Sequence, residues 1–423
     1  MYFQNFGHYE TKPALFIDRD PDQRWLRENF EATLRKRDEI VGRSICVHGP
    51  KGSGKTAFAR KVLHDIKPKR LDRTLFVEVD CRRKASARAV FNAVAQDIVE
   101  ELLRLQAARV KVSEALVAAA RALLALTRFS GGVELKVAHE HVAQFKLTGG
   151  ADAGVTPKLQ VPLKLNALFG ISFERSEKEV KTLTGTITFD EAGLCAALKE
   201  LLWDVRRADL DVVLFLDNIA ELHHDYKDEA TRQQVWRQAE WALELGTAPI
   251  VTLACMRSYY TGVARTWEMR ALKALPGNYR LGIIERRLKE EPAELQKACG
   301  ASPVRAMMNH VAGATTTPLA TLQWFKNYAE EEAYGRTEQL GVVKDFVRGS
   351  YANVPFDVIE KVVREFDEPD QEVDRALLEA ACGNNATVFA ALQDREVILP
   401  NDFWNPLRFT LDPTLHILHP KNG

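Results

Sequence analysis

The sequence predicts an α/β fold: a parallel sheet carrying a β-rich insertion, followed by a helical lid and a C-terminal winged helix. Three observations lead there. Apolar runs at 44–48, 75–79, 212–216 and 250–254 are separated by longer helical stretches, which is the spacing of βαβ units and not of hairpins. Residues 131–190 switch to two-residue alternation, as in VELKVAHEHV and GTITF, the period of strands with one buried face. Beyond about residue 340 the order is helix, helix, helix and then two short strands, which is a winged-helix pattern.

Taken in order, residues 1–42 read as a lead-in and a helix starting near Asp20-Pro21. A strand at 44–48 ends in a glycine-rich turn, and a helix runs from about Lys55 to Ile66. The strand at 75–79 closes this first unit. Residues 85–128 are Ala- and Leu-rich and helical. After the insertion a helix at 191–206 leads to the strand at 212–216, a helix at about 228–245, and the strand at 250–254. Residues 278–330 are mostly helical, and the closing strands are expected at 396–399 and 408–411. The implied domains are 1–277 (core, with the insertion at 131–190), 278–335 (lid) and 336–423 (winged helix).

At 423 residues the chain is too long for one ordinary domain. Lys plus Arg and Asp plus Glu number 58 each, so bulk charge gives no reason to expect a nucleic-acid or membrane partner, and any such surface must be local. The six cysteines form no C-x-x-C pair, which removes a zinc knuckle or disulfide framework, and Cys46 and Cys255 fall in apolar strands where a thiol acts as a small hydrophobe. The first ten residues lack the pattern of a signal peptide, and no uncharged apolar run reaches membrane-spanning length. A cytoplasmic protein with no membrane association is expected.

The strongest signal is Gly49-Pro50-Lys51-Gly52-Ser53-Gly54-Lys55-Thr56, which fits G-x-x-x-x-G-K-[ST] between a predicted strand and a predicted helix. Glycines let successive N–H groups curl around phosphate oxygens, and the helix that follows turns its positive dipole end to the same anion. Lys55 supplies a point charge to the β- and γ-phosphates, and the Thr56 hydroxyl is a Mg²⁺ ligand. This predicts a P-loop NTPase core that binds ATP with Mg²⁺. The other half of such a site is an acid at the end of a buried strand, and Asp217 after 212–216 meets that requirement as the second Mg²⁺ residue. Many hydrolysing ATPases carry glutamate at the next position. Here it is Asn218, which can orient a water but cannot accept its proton, so slow turnover is expected; Glu221 is a nearby substitute.

Together these residues resemble the AAA+ and STAND ATPases, in particular the branch holding origin-recognition ATPases and NB-ARC switch proteins. Phe16-Ile17-Asp18-Arg19-Asp20 is similar to that group's F-V-G-R-E motif near the adenine, with Asp18 in place of its glycine, which implies nucleotide contacts by Phe16 and Arg19. Cys255-Met256-Arg257 looks like the T-[ST]-R element, whose arginine reads the γ-phosphate. Gly313-Ala-Thr-Thr-Thr-Pro318-Leu319-Ala320 is loosely similar to the lid motif G-x-P-L-A, with Thr316 where the family has glycine, and it makes Pro318 a nucleotide-side residue. Arg265 and Arg270 occupy the interval where the family keeps an arginine finger for a neighbouring subunit. The resemblance implies a nucleotide-dependent switch or motor subunit that self-associates and drives a separate partner, as in bacterial defence or mobile-element systems.

Two other readings stay open: a DNA-binding initiator or transposition-type ATPase, and a module that holds nucleotide with little hydrolysis. DNA would use the basic clusters Lys67, Lys69, Arg70, Arg73 and Arg82, Arg83, Lys84, Arg88. The winged helix is not expected to be the DNA surface, because residues 336–423 hold nine Lys/Arg against fifteen Asp/Glu. His223-His224-Asp225 has no further ligand cluster nearby and is read as surface, and Trp236 and Trp241 are read as packing residues.

Overall fold

Strand β7 (Asp211–Asp217) is buried along its whole length, and its alternate side chains serve two different cores. Val213 and Phe215 pack with Leu26, Phe30, Phe58 and Val62, which come from helices α1 (Asp20–Arg35) and α2 (Lys55–Ile66). Val212, Leu214 and Leu216 face the opposite layer. That layer is made by α3 (Ala87–Ala107), α4 (Glu114–Arg128), α5 (Glu191–Arg207) and α6 (Glu229–Glu244). A strand covered on both faces is apolar through its middle, which is why the sequence shows a continuous run at 212–216 between the two buried aspartates that end it.

A computed structural model of the chain describes residues 16, 19–35, 42–82, 84, 86–128, 133–137, 142–147, 159–162, 186–187, 190–219, 229–333, 339–368, 371–402, 404 and 406–419. The central sheet contains β1 (Arg43–Gly49), β2 (Thr74–Asp80), β7, β8 (Val251–Arg257) and β9 (Glu268–Ala271), in the order β2-β7-β8-β1-β9. Every pairing in it is parallel. Strand β9 escapes the sequence reading: it is a four-residue edge strand whose Glu268 and Arg270 alternate with Met269 and Ala271, so it has no apolar run. The stretch at 85–128 is two helices, broken where Arg109 turns left-handed at φ 62 and Ser113 caps α4 through Leu116 N–H at 3.2 Å.

Among the described residues, the insertion forms a four-stranded antiparallel sheet, as the alternation predicts, of β3 (Val133–Val137), β4 (Val142–Leu147), β5 (Leu159–Pro162) and β6 (Thr186–Ile187), in the order β5-β4-β3-β6. The lid region holds α7 (Gly277–Leu288), α8 (Ala293–Cys299), α9 (Ser302–Ala314) and α10 (Pro318–Ala333), and α11 (Gln339–Ser350) follows. The winged helix is α12 (Phe356–Arg364), β10 (Val373–Asp374), α13 (Arg375–Ala381), α14 (Ala386–Asp394), β11 (Ile398–Pro400) and β12 (Arg408–Leu411), its three strands antiparallel in the order β10-β12-β11. Lid and winged helix share one core, in which Trp324, Phe325, Val347, Val363, Phe389 and Phe409 are all buried. Among the described residues no helix is long and apolar enough to cross a membrane.

The expected strand at 396–399 starts two residues late, and the reason bears on the site. Glu396 N–H bonds Gln393 O at 2.9 Å and Val397 N–H bonds Leu392 O at 2.9 Å, the paired bonds that close a helix C-terminus. Glu396 therefore occupies the left-handed capping position, at φ 57, where glycine is usual.

Candidate nucleotide site

Strands β1, β8, β7 and β2 all end on one edge of the sheet, the carboxyl edge, where open α/β sheets hold ligands. Register sets the neighbours: Gly49 lies beside Arg257, and Asp217 beside Asp80. The loop leaving β1 needs two left-handed glycines, Gly52 at φ 76 and Gly54 at φ 87. No side chain caps the start of α2, so its first N–H groups face the loop. Lys55 Nζ donates to the loop carbonyls of Gly49 (3.1 Å) and Pro50 (2.9 Å), and Ser53 Oγ is buried without a hydrogen-bond partner.

Thr56 and Asp217, 161 residues apart, meet: the Thr56 hydroxyl donates to Asp217 Oδ1 at 2.9 Å. Asp217 is 1% exposed. Burial pushes its carboxyl up to about 6; the Thr56 hydroxyl, Arg60 and the Asn218 N–H pull the other way, while Asp80 adds to the rise. A buried carboxylate beside a hydroxyl, short of positive charge, is a hard-oxygen donor pair suited to Mg²⁺. Asn218 is left-handed at φ 56, with its backbone N–H on Asp217 Oδ1 and its side-chain Nδ2 donating to Asp80 Oδ1 at 3.0 Å.

The start of α10 touches the loop. Leu319 N–H donates to Gly52 O at 3.3 Å, and Pro318 Cγ lies 3.9 Å from where a Cβ on Gly54 would stand. Phe16 leans on Phe58 with ring centroids 6.4 Å apart. Ile17 and Asp18 lie outside the described residues. Arg19 is buried and left-handed at φ 71, and its guanidinium donates to Ser53 O (3.2 Å) and Lys273 O (2.8 Å). It braces the loop from behind.

Arg257 and Lys51 converge on one carboxylate from the winged helix. Arg257 Nη1 donates to Glu396 Oε1 at 2.6 Å, and Lys51 Nζ lies 2.7 Å from Glu396 Oε2. Lys51 also bonds the buried Asp412 Oδ2 at 3.2 Å. Burial alone would raise the Glu396 carboxyl, but Arg257 and then Lys51 bring it down to about 2. Burial likewise acts to lower the Lys51 amine, and Asp412 and Glu396 outweigh it, leaving it raised.

Arg270 is paired within the chain. Its Nε donates to Asp22 Oδ1 at 2.8 Å and its guanidinium lies over Trp25, 5.0 Å from the ring centroid, because β9 turns it toward α1. Arg265 is exposed, with Nε on Gly262 O at 3.2 Å. The basic clusters are partly compensated: Arg73 lies 3.6 Å from both Asp209 and Asp211, and Arg82 lies 4.0 Å from Asp80. Arg83, Glu221 and His223 to Asp225 are outside the described residues. Trp236 packs as expected, against Tyr260 and Trp404.

Sequence reasoning missed two site residues. Asp80 had a signal, since it ends an apolar run in the same way as Asp217 does. Glu396 had none, because only folding brings it to Arg257, 139 residues away.

A family model described as an AAA ATPase domain matches residues 16–237, more than half of the chain. Among curated proteins, none matches the sequence. Solved structures to which the chain is similar include Cdc6p from Pyrobaculum aerophilum, with 13% identity, a TM-score of 0.40, and coverage of 100% of this chain and 98% of that one. Aeropyrum pernix ORC1, solved in complex with DNA, shares 13% identity at TM-score 0.45 over 97% and 92% of the two chains. Aeropyrum pernix ORC2, solved as ADPNP–ADP complexes, shares 11% identity at TM-score 0.46 over 97% and 93%.

Proposed function

The chain belongs to the AAA ATPase domain family, and from that premise we propose that it is an ATP- and Mg²⁺-binding switch whose winged helix reports which nucleotide is bound. Lys55 and the loop N–H groups hold the β- and γ-phosphates. Thr56 and Asp217 hold Mg²⁺, which neutralises phosphate charge when bound. Phe16 and Pro318 flank the nucleotide, and Arg19 keeps the loop in shape. Arg257 reads the γ-phosphate.

The observation that carries the switch is Glu396 bridging Lys51 and Arg257. A γ-phosphate brings negative charge to the same two cations, so it competes with Glu396 for them and repels it. ATP then favours release of the winged helix, and ADP favours the bridged form, which is a rigid-body transition driven by differential contacts. The backbone supports this reading. A left-handed non-glycine residue costs on the order of 1 kcal/mol or more, and such positions persist where the side chain has work to do. Hydrolysis of ATP to ADP resets the switch, and a partner protein receives the movement.

Glu396→Gln tests the bridge, because it keeps the size and the backbone but removes the charge. Calorimetry with Mg·ADP and with a non-hydrolysable Mg·ATP analogue should show the variant's preference for the ATP analogue rising roughly tenfold, or about 1.4 kcal/mol. An unchanged preference in a well-folded variant rules out the competition. Lys55→Ala is the control, and it should lose both nucleotides.

A further inference from the structure

Hydrolysis needs a group that takes the proton of the attacking water, and the amide of Asn218 is not one. The neighbouring strand carries a carboxylate beside it. Asp80 ends β2 in register with Asp217, on the same edge of the sheet as Thr56. Two donors fix one of its oxygens: Asn218 Nδ2 at 3.0 Å and the Arg82 backbone N–H at 2.9 Å both reach Oδ1. The other oxygen, Oδ2, has the Arg82 guanidinium at 4.0 Å, and the side chain is 48% exposed, so water reaches it. With its Nδ2 committed to Asp80, Asn218 still offers its amide oxygen to a water. Carboxylate and amide thus stand side by side: one accepts a proton and the other aligns the molecule that gives it.

We propose that Asp80 is the general base of ATP hydrolysis, acting from β2 with Asn218 as its water-aligning partner; this rests on reading the chain as an ATPase. The water oxygen attacks the γ-phosphorus while one water proton passes to Asp80 Oδ2. The bond between that phosphorus and the oxygen bridging to the β-phosphate breaks, and its electrons leave with ADP. Inorganic phosphate is the second product, and Asp80 returns the proton to solvent. The competing role for Asp80 is purely structural, holding the turn at Asn218 and Arg82.

The test compares wild type, Asp80→Asn and the exchanged pair Asp80→Asn with Asn218→Asp. Three readouts are needed: melting temperature, Mg·ATP affinity by calorimetry, and single-turnover phosphate release. The full chain is used throughout. Asp80→Asn keeps an acceptor for both donors, so it should fold and bind Mg·ATP as wild type does. Its phosphate release should fall by about 10²–10⁴, the usual contribution of a positioned base. The exchanged pair moves the carboxylate to the other strand and should recover at least roughly tenfold of that loss. Release at the wild-type rate from Asp80→Asn overturns the proposal, as does loss of its Mg·ATP binding, which would mark a structural role. A different result identifies failure of the underlying reading: wild type that binds Mg·ATP but releases no phosphate is not a hydrolase, and Asp80 then has no reaction to serve.

Discussion

Asp217 shows at the scale of one residue how a buried carboxyl is held against the interest of stability. Its carboxyl is pushed up to about 6, first by burial, so the folded protein keeps a proton there that the unfolded chain gives up near 3.8. Ionising it at neutral pH therefore weakens the fold, by at most about 3 kcal/mol at 1.36 kcal/mol per unit. Stability lost in this way grows as pH rises through the window from about 4 to about 6 and is complete above it. Asp217→Asn keeps an acceptor for Thr56 and for the Asn218 N–H. In nucleotide-free thermal denaturation it should melt above wild type at about pH 7.5, by on the order of 1–2 kcal/mol. The advantage should shrink toward zero near pH 4, and Mg²⁺-dependent ATP binding should be lost at every pH. A variant that melts below wild type at neutral pH would mean that the carboxylate is better compensated than its surroundings imply.

At the scale of elements, the decisive contact is between the phosphate loop and the start of α10. A Cβ on Gly52 would stand 2.8 Å from Leu319 Cβ and 3.0 Å from Thr317 Oγ1, on a residue already left-handed at φ 76. Gly52→Ala therefore has to displace the loop or the lid helix. Adding the backbone penalty of about 1–2 kcal/mol to that displacement, a loss of about 2–4 kcal/mol is expected. Urea denaturation measures the stability, and calorimetry should show Mg·ATP binding weakened in parallel. Gly313→Ala is the matched control, since it lies in α9 with nothing within 4 Å of the added methyl. There alanine should be neutral or stabilising by up to about 1 kcal/mol. Equal losses in both variants would mean that the loop–lid contact has no special weight.

At the scale of the whole molecule, the lid and winged helix form one body with a common core, joined to the sheet edge through Gly52, Arg257 and Lys51. On the proposed function, opening that edge would expose the nucleotide site to a neighbouring copy. We propose the exposed Arg265 as the cation that reaches a second subunit, since Arg270 is bonded to Asp22 and lies over Trp25. Light scattering with ATP, ADP or no nucleotide should show mass rising with ATP at micromolar protein. Arg265→Ala should abolish that rise at unchanged melting temperature, whereas Arg270→Ala should lower the melting temperature. A mass that is the same in all three conditions would count against self-assembly.

The sequence by itself determined the core and the chemistry of its loop. Glycines at 49, 52 and 54 with Lys55 and Thr56 are legible because phosphate binding constrains a few adjacent residues. Strands β1, β7 and β8 are legible because double burial demands apolar runs, and β2 because Leu75, Phe76, Val77 and Val79 still make a mostly apolar run at the sheet edge. Asp217 was found because it closes one of those runs. Strand β9 was not, since an edge strand exposed on one side has no such pattern. Arg270 read as a candidate finger, and only the structure shows that it pairs with Asp22 and lies over Trp25. Only the tertiary structure put Asp80 against Asn218 and Glu396 across Lys51 and Arg257. Local sequence constrains backbone conformation and burial, but a pairing across 138 or 139 residues leaves no periodic trace in the chain. It comes from strand register in one case and, in the other, from a helix cap that carries a carboxylate where glycine would have been easier.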